Sequence, residues 1–295
     1  MNSKKTKRLL SFVICVIIAV ACVAGVYNGI AVATVGNKQF YEKGIATQTV
    51  ADECNKQLNQ KYKALAVKSN LPLDVFYSVT VKFNTQESLL QSAQALFDEN
   101  DSLLRNGSRY GYFADTIKEY AKANSLSLTK EEIDLTSREA EQIYCDTVGI
   151  HGLEYLEDAV AQKREGATRN LSFCVLTAMI AVALLAILHK NDGHRLLSYA
   201  SVGIMTGGLA GLISFVSMLV FGLYGKITIE PQAMSLAFEA MQRQVLLYRS
   251  IASLGILFVG IGAFCISQYF IDREEYRRQT RYLKIISNQT VDKVD

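Results

Sequence analysis

Residues 9–37 read LLSFVICVIIAVACVAGVYNGIAVATVGN, 29 positions without a charge, directly after the basic start Lys4-Lys5-Thr6-Lys7-Arg8. A membrane-spanning helix needs about 20 apolar residues, so this run is long enough to cross a bilayer with some tilt. Two other readings use the same residues. A cleaved signal peptide would be cut after Ala31-Val32-Ala33, but its apolar core is about 7–15 residues, half of what stands here. A lipoprotein would be modified at Cys22 after Ala19-Val20-Ala21, yet the chain stays largely apolar well past that cysteine. A retained membrane helix over 9–35 is therefore expected, preceded by a short basic terminus, 1–8.

Three more apolar runs lie at the other end of the chain. Leu171–Leu188, Leu196–Gly225 and Ser250–Ile271 each approach or exceed the length of a span. Between and beyond them sit Lys190 and Arg195, then Arg273, Arg277, Arg278, Arg281, Lys284 and Lys293. An even number of spans puts these on the same side as the N-terminal basic cluster. By the positive-inside rule that side is the cytoplasm. The expected order is span one at 9–35, an extracytoplasmic block at 36–168, span two at 169–189 and a cytoplasmic connector at 190–195. Span three at 196–225, an outer connector at 226–249, span four at 250–271 and a cytoplasmic tail at 272–295 complete it.

Charge separates the block from the rest. Residues 36–168 hold 15 Lys and Arg against 20 Asp and Glu, while the remaining residues hold 16 basic and 8 acidic groups. A basic excess beside apolar runs is what membrane topology produces, so no nucleic-acid partner is expected. The block has ample length for a core of its own.

Its periodicity is helical. Thr49 and Asp52 have capping-box spacing, and Val50, Cys54, Leu58, Tyr62 and Leu65 then recur by fours and threes on one face. Pro72 suits the first turn of a short helix bearing Val75, Phe76 and Val79. Thr85 is a candidate cap for a third, with Leu89, Ala93, Leu96 and Phe97 facing inward. Asn106-Gly107-Ser108 marks a turn, and Phe113, Ile117, Tyr120 and Ala121 form the next stripe. Thr129 and Glu132 make a capping box, with Leu128 and Ile133 spaced for a hydrophobic staple. Ile133, Ala140, Ile143, Tyr144 and Val148 follow, and Leu153, Leu156 and Val160 lead toward span two. Only Ser78–Phe83 admits a strand. The fold class expected is all-α: four transmembrane helices with a helical extracytoplasmic domain inserted between spans one and two.

The arrangement resembles the uncharacterised four-span membrane proteins of clostridial-type Gram-positive bacteria that carry a helical extracytoplasmic domain. The resemblance rests on the order of segments, on Phe40-Tyr41 just beyond span one, on Leu71-Pro72-Leu73-Asp74-Val75-Phe76, and on Arg195 at the mouth of span three. It implies no assigned activity. Topology is also similar to the cell-division permease family, whose large external loop lies between spans one and two. The chain departs from it in the seven residues between Leu188 and Leu196, which leave little room for a helix that engages an ATPase.

Candidate chemistry is sparse. His189 and His194 flank the inner connector beside Asp192 and His151 stands in the block, too few ligands for a structural metal. Asp98-Glu99-Asn100-Asp101-Ser102 opens like a calcium loop, but Leu103 replaces the turn glycine and Arg109 replaces the terminal carboxylate. No nucleophile–base pair or paired acids emerge, and neither an enzyme nor a cofactor is expected. Cys54 and Cys145 are the only cysteines outside the spans, a possible disulfide or two buried thiols. Tyr110 and Tyr112 are either core residues or an aromatic surface for peptide or glycan.

Two surfaces remain. Gly203, Gly207 and Gly211 recur by fours in span three, a small-residue face for close helix packing within the chain or between copies. In the outer connector, Glu230-Pro231 starts an amphipathic helix whose Met234, Phe238, Met241 and Val245 recur by fours and threes. That face is expected to dock on the external domain and not to lie flat on lipid. The functional expectation is a non-enzymatic membrane protein whose partners are the lipid bilayer and an envelope protein or ligand held by the external domain. The alternative is a permease-like subunit coupling a cytoplasmic ATPase to that domain.

Overall fold

Two kinds of helix make up the computed structural model, which describes residues 3–95, 97, 109–149, 153–190, 192–223 and 231–291. In chain order they are α1 (Ser3–Val35), α2 (Lys38–Ile45), α3 (Gln48–Ser69), α4 (Leu73–Lys82) and α5 (Thr85–Ala95). Then follow α6 (Arg109–Ala123), α7 (Lys130–Val148), α8 (Leu153–Leu188), α9 (Gly193–Val220) and α10 (Gln232–Val291). No strand occurs among the described residues, and Ser78–Lys82 is helical. Four helices, α1, α8, α9 and α10, are long and apolar enough to cross a membrane. The acidic turn at 98–102, the turn at 106–108 and His151 lie outside the described residues.

The chain divides into two compact units. The first comprises residues 1–31, 166–223 and 245–295; the second comprises 32–165 and 224–244.

In the second unit, local chemistry sets the helix ends. Thr47, not Thr49, caps α3: its hydroxyl accepts from the Val50 N–H at 3.3 Å. The capping-box spacing of Thr49 is incidental, because Thr47 already supplies the extended residue and the oxygen. Asn70 ends α3 at φ 53°, and Leu71 N–H closes the turn on Ala66 O at 3.1 Å. Pro72 sits one place before α4 with extended backbone. Thr85 is the first residue of α5 and does not cap it; its hydroxyl donates across to Asn55 Oδ1 at 2.6 Å. The Thr129–Glu132 capping box on α7 is fully formed. Asn37 caps α2, its side-chain oxygen accepting from the Gln39 N–H at 3.0 Å, and the helix seats Tyr41 and Ile45 in the core.

That core is aromatic. Tyr62 stacks on Phe76 at 5.7 Å between centroids, and Phe83 meets Tyr112, Phe113 and Tyr144 in tilted or edge contacts. Cys54, Leu58, Leu89, Ile117 and Ala140 fill the spaces between the rings. Ala233, Met234, Ala237 and Met241, at the start of α10, belong to the same core. A unit of this size thus buries its apolar stripes within itself.

In the first unit, glycines set the packing of α9. A Cβ on Gly207 would lie 2.8 Å from Ala19 O, and one on Gly203 would lie 2.9 Å from Cys15 O, both on α1. On the other side, a Cβ on Gly208 would lie 2.5 Å from the Leu257 amide of α10. Backbones approach this closely only where no side chain intervenes. Ile14, Ile18, Ala181, Leu185 and Ala200 form a small shared core where α1, α8 and α9 meet. Most of the remaining apolar surface faces outward, as on α8 with Phe173, Val175, Leu176, Met179 and Ile180.

Two boundaries differ from the expectation. Span three was expected to reach Gly225, but α9 ends at Val220, because Gly222 turns left-handed at φ 61° and Leu223 N–H reaches back to Met218 O. The outer connector and span four were expected as separate helices, but α10 is continuous from Gln232 to Val291. No proline or glycine falls between Met241 and Ser250 to break it, and those residues are mostly good helix formers. Helix α8 likewise joins Leu153–Val160 to span two without a break.

Candidate functional site

Arg109 opens α6 and carries its guanidinium into the second unit, where the residue is 8% exposed. No ion pair to it is present among the described residues. Two aromatic faces take the place of a carboxylate: the guanidinium carbon lies 4.9 Å from the Tyr144 ring centre and 5.5 Å from that of Phe83. Nη2 donates to Ser88 Oγ at 3.3 Å, and Tyr144 OH donates to the same oxygen at 2.9 Å. Ser88 in turn donates to Phe83 O, so its hydroxyl uses its donor and both acceptor sites. Nη1 has no hydrogen-bond partner among the described residues. Nothing in the pattern around Arg109 identifies it as buried: it follows the Asn106-Gly107-Ser108 turn signal and precedes Tyr110, as a surface arginine would.

The two cysteines outside the long apolar helices adjoin this cluster and are both free thiols. Cys54 is fully buried, its thiol pointing at Thr147 O at 3.6 Å, and burial pushes its pKa up to about 12. Burial also pushes the Cys145 thiol up, while the nearby Arg109 charge works against it. Neither environment activates a thiolate. The phenol of Tyr144 is raised by burial as well, with the Ser88 hydrogen bond opposing. The whole cluster is closed and has the character of a structural polar core.

Tyr110 and Tyr112 diverge. Tyr110 OH donates to Asp134 Oδ1 at 2.5 Å, which holds the Asp134 carboxyl below the usual carboxylate range, and Glu141 accepts from the Tyr110 amide. Tyr112 is 57% exposed with its ring edge on Phe83.

An open groove of about 590 Å³ runs between α3 and α7. Leu65, Leu71 and Leu128 line its apolar part, and Leu135 stands exposed beside it. Lys68, Glu132, Arg138 and Glu139 make the charged part. Lys68 pairs with Glu139 at 2.7 Å across the two helices, and Arg138 pairs with Asp134 at 3.0 Å along α7. Charges of both signs thus border the trough.

On α10, Met234 and Met241 are buried in the second unit's core, and Phe238 is half-buried with its ring 6.5 Å from that of Tyr41. A Cβ on Gly44 would collide with Met241. Val245, expected on the same face, is half-buried and falls in the other unit. Gly203, Gly207 and Gly211 all face neighbouring helices of the chain itself, the last against Ser253.

His189 stacks on Tyr199 and shares a hydrogen bond with Ser11, and His194 faces Glu274 at 3.3 Å. Among the described residues no three His, Cys, Asp or Glu side chains gather as a metal site. No protein-family model, no curated protein and no solved structure matches this chain.

Proposed function

We propose that the chain is a non-enzymatic integral membrane protein whose second unit lies outside the cytoplasm and binds a partner at the cell envelope through the groove between α3 and α7. The observation that carries this reading is the pairing of four long apolar helices with a second unit that closes its own aromatic core and leaves a lined trough open between α3 and α7. Three of its buried polar groups are committed to structure: Ser88 is saturated, burial holds Cys54 as the thiol, and the Arg109 guanidinium lies between two rings. Catalysis would need an accessible nucleophile beside a base, whereas recognition needs a trough with apolar walls and paired charges. The basic residues flanking the long helices support an outside position for the acidic unit.

A photo-crosslinking residue at Leu135, in the groove, tests the reading in intact cells, with Val81, equally exposed but outside it, as reference. A discrete adduct from position 135, absent from position 81 and lost when Lys68→Glu is added, is the expected result. Equal adducts from both positions, or none from 135, removes the groove as the binding surface.

A further inference from the structure

A second groove, of about 490 Å³, lies in the first unit, lined by Gly193, His194 and Leu197 of α9 and by Phe270, Arg273, Glu274 and Arg277 of α10. On α10 the lining residues follow steps of three and four, so they share one face. Both helices change character at this level. Helix α9 is uncharged from Leu196 onward, and α10 is uncharged from Ser250 to Ile271 and charged at once from Asp272. The two changeovers are held together: Ser267 Oγ donates to His194 O at 2.8 Å, and His194 Nδ1 meets Glu274 Oε2 at 3.3 Å. With α9 and α10 as spans, the groove therefore sits where hydrocarbon gives way to headgroups.

Its walls have the same polarity. Leu197 and Phe270 stand on the apolar side, Phe270 half exposed, while Arg273 and Arg277 stand on the charged side. Among the described lining residues the carboxylate is Glu274, which His194 engages. Neither arginine forms an ion pair among the described residues, whereas Arg195 nearby is paired with Asp192. Two uncommitted guanidinium groups one helical turn apart match a phosphodiester, and guanidinium binds phosphate through paired N–H donors. The adjoining apolar wall matches an acyl chain. Basic pockets between spans on the cytoplasmic side are a recognised place for anionic headgroups.

We infer that this groove holds one anionic phospholipid, its phosphate on Arg273 and Arg277 and an acyl chain along Leu197 and Phe270. The inference rests on the membrane reading above. Each arginine near an anionic surface is worth about a factor of five, so the pair predicts roughly thirty-fold preference over a zwitterionic lipid.

The chain lacks tryptophan, so Phe270→Trp provides a single fluorescent reporter in the groove. The full chain carrying it is placed in phosphatidylcholine nanodiscs and quenched with phosphatidylglycerol or phosphatidylcholine bearing brominated acyl chains. Quenching by the brominated phosphatidylglycerol at about thirty-fold lower mole fraction is expected. The preference should vanish in R273Q/R277Q and be weakened but present in R273K/R277K, which keeps the charge and loses the paired donors. The circular dichroism of both should match the parent because Arg273 and Arg277 are exposed. Equal quenching by the two lipids overturns the inference, as does a preference that persists in R273Q/R277Q. Release of the quenching by millimolar inorganic phosphate would make this a simple anion site and also overturn it. A chain that does not enter the discs fails the membrane reading instead, so the two failures are distinct.

Discussion

Glu132 and Asp134 lie on one turn of α7 and answer to pH in the same way. The Thr129 amide and hydroxyl hold Glu132 low, and the Tyr110 hydroxyl holds Asp134 low. A carboxyl depressed in the folded state adds stability above its unfolded value and loses it as pH falls through the folded one. The contribution should therefore be intact at neutral pH and disappear below the ordinary carboxylate range. Glu132→Gln keeps a side chain that can still accept in the capping box but no longer titrates. Its thermal midpoint should fall less than the parent's between pH 7 and pH 3, and an identical fall in both would show that this carboxylate does not contribute. At Cys54 the raised thiol predicts inertness. In the native protein at pH 8, iodoacetamide should leave Cys54 unmodified and then label it once denaturant is added, as peptide mass mapping reports. Cys54 and Cys145 resisting label until reductant is added would instead reveal a disulfide.

Among the elements, α9 offers the sharpest contrast. Gly207 faces backbone atoms of Ala19, which cannot move aside as a side chain tip would, while Gly255 on α10 has no described residue within 4 Å of its Cβ position. Gly207→Ala should lower the melting temperature in detergent, and Gly207→Leu should lower it further. Gly255→Ala should hold or raise it, because alanine is favoured over glycine in a helix by about 1 kcal/mol. Equal melts for Gly207→Leu and the parent would remove the close-packing account. The start of α10 makes a second comparison. Met234 is completely buried in the second unit and Leu236, two residues on, is 43% exposed. Met234→Asp places a carboxylate among Ala237, Met241 and their neighbours without a partner and should cost roughly 2–5 kcal/mol. Leu236→Asp should cost little. Protection of α3 and α7 amides in hydrogen exchange reads both, and similar protection in the two variants would argue against docking of this face.

At the scale of the molecule, orientation is the property that the proposed function depends on. In a background without native cysteines, Ser125→Cys lies on an exposed left-handed turn after α6, and Gln279→Cys lies on the charged end of α10. An impermeant thiol reagent applied to intact cells should label position 125 and spare position 279 until the membrane is opened. Labelling at 279 in sealed cells would invert the topology and place the second unit in the cytoplasm.

Read by itself, the sequence determined the helical class, the four long apolar helices and the inward stripe of α3. Those properties are periodic, and a period of 3.6 residues survives without any knowledge of neighbours. Val50, Cys54, Leu58, Tyr62 and Leu65 all lie inward on α3 for that reason. The Thr129–Glu132 box was legible because capping is local chemistry. Other features needed the fold. Thr47 rather than Thr49 starts α3, and Thr85 spends its hydroxyl on Asn55, thirty residues away. The burial of Arg109 depends on Phe83 arriving from the end of α4 and Tyr144 from α7, and no local pattern announces that. Both grooves are the same kind of case. Each is lined by two helices distant in the chain, so its shape is a property of tertiary packing and is absent from any single stretch of residues.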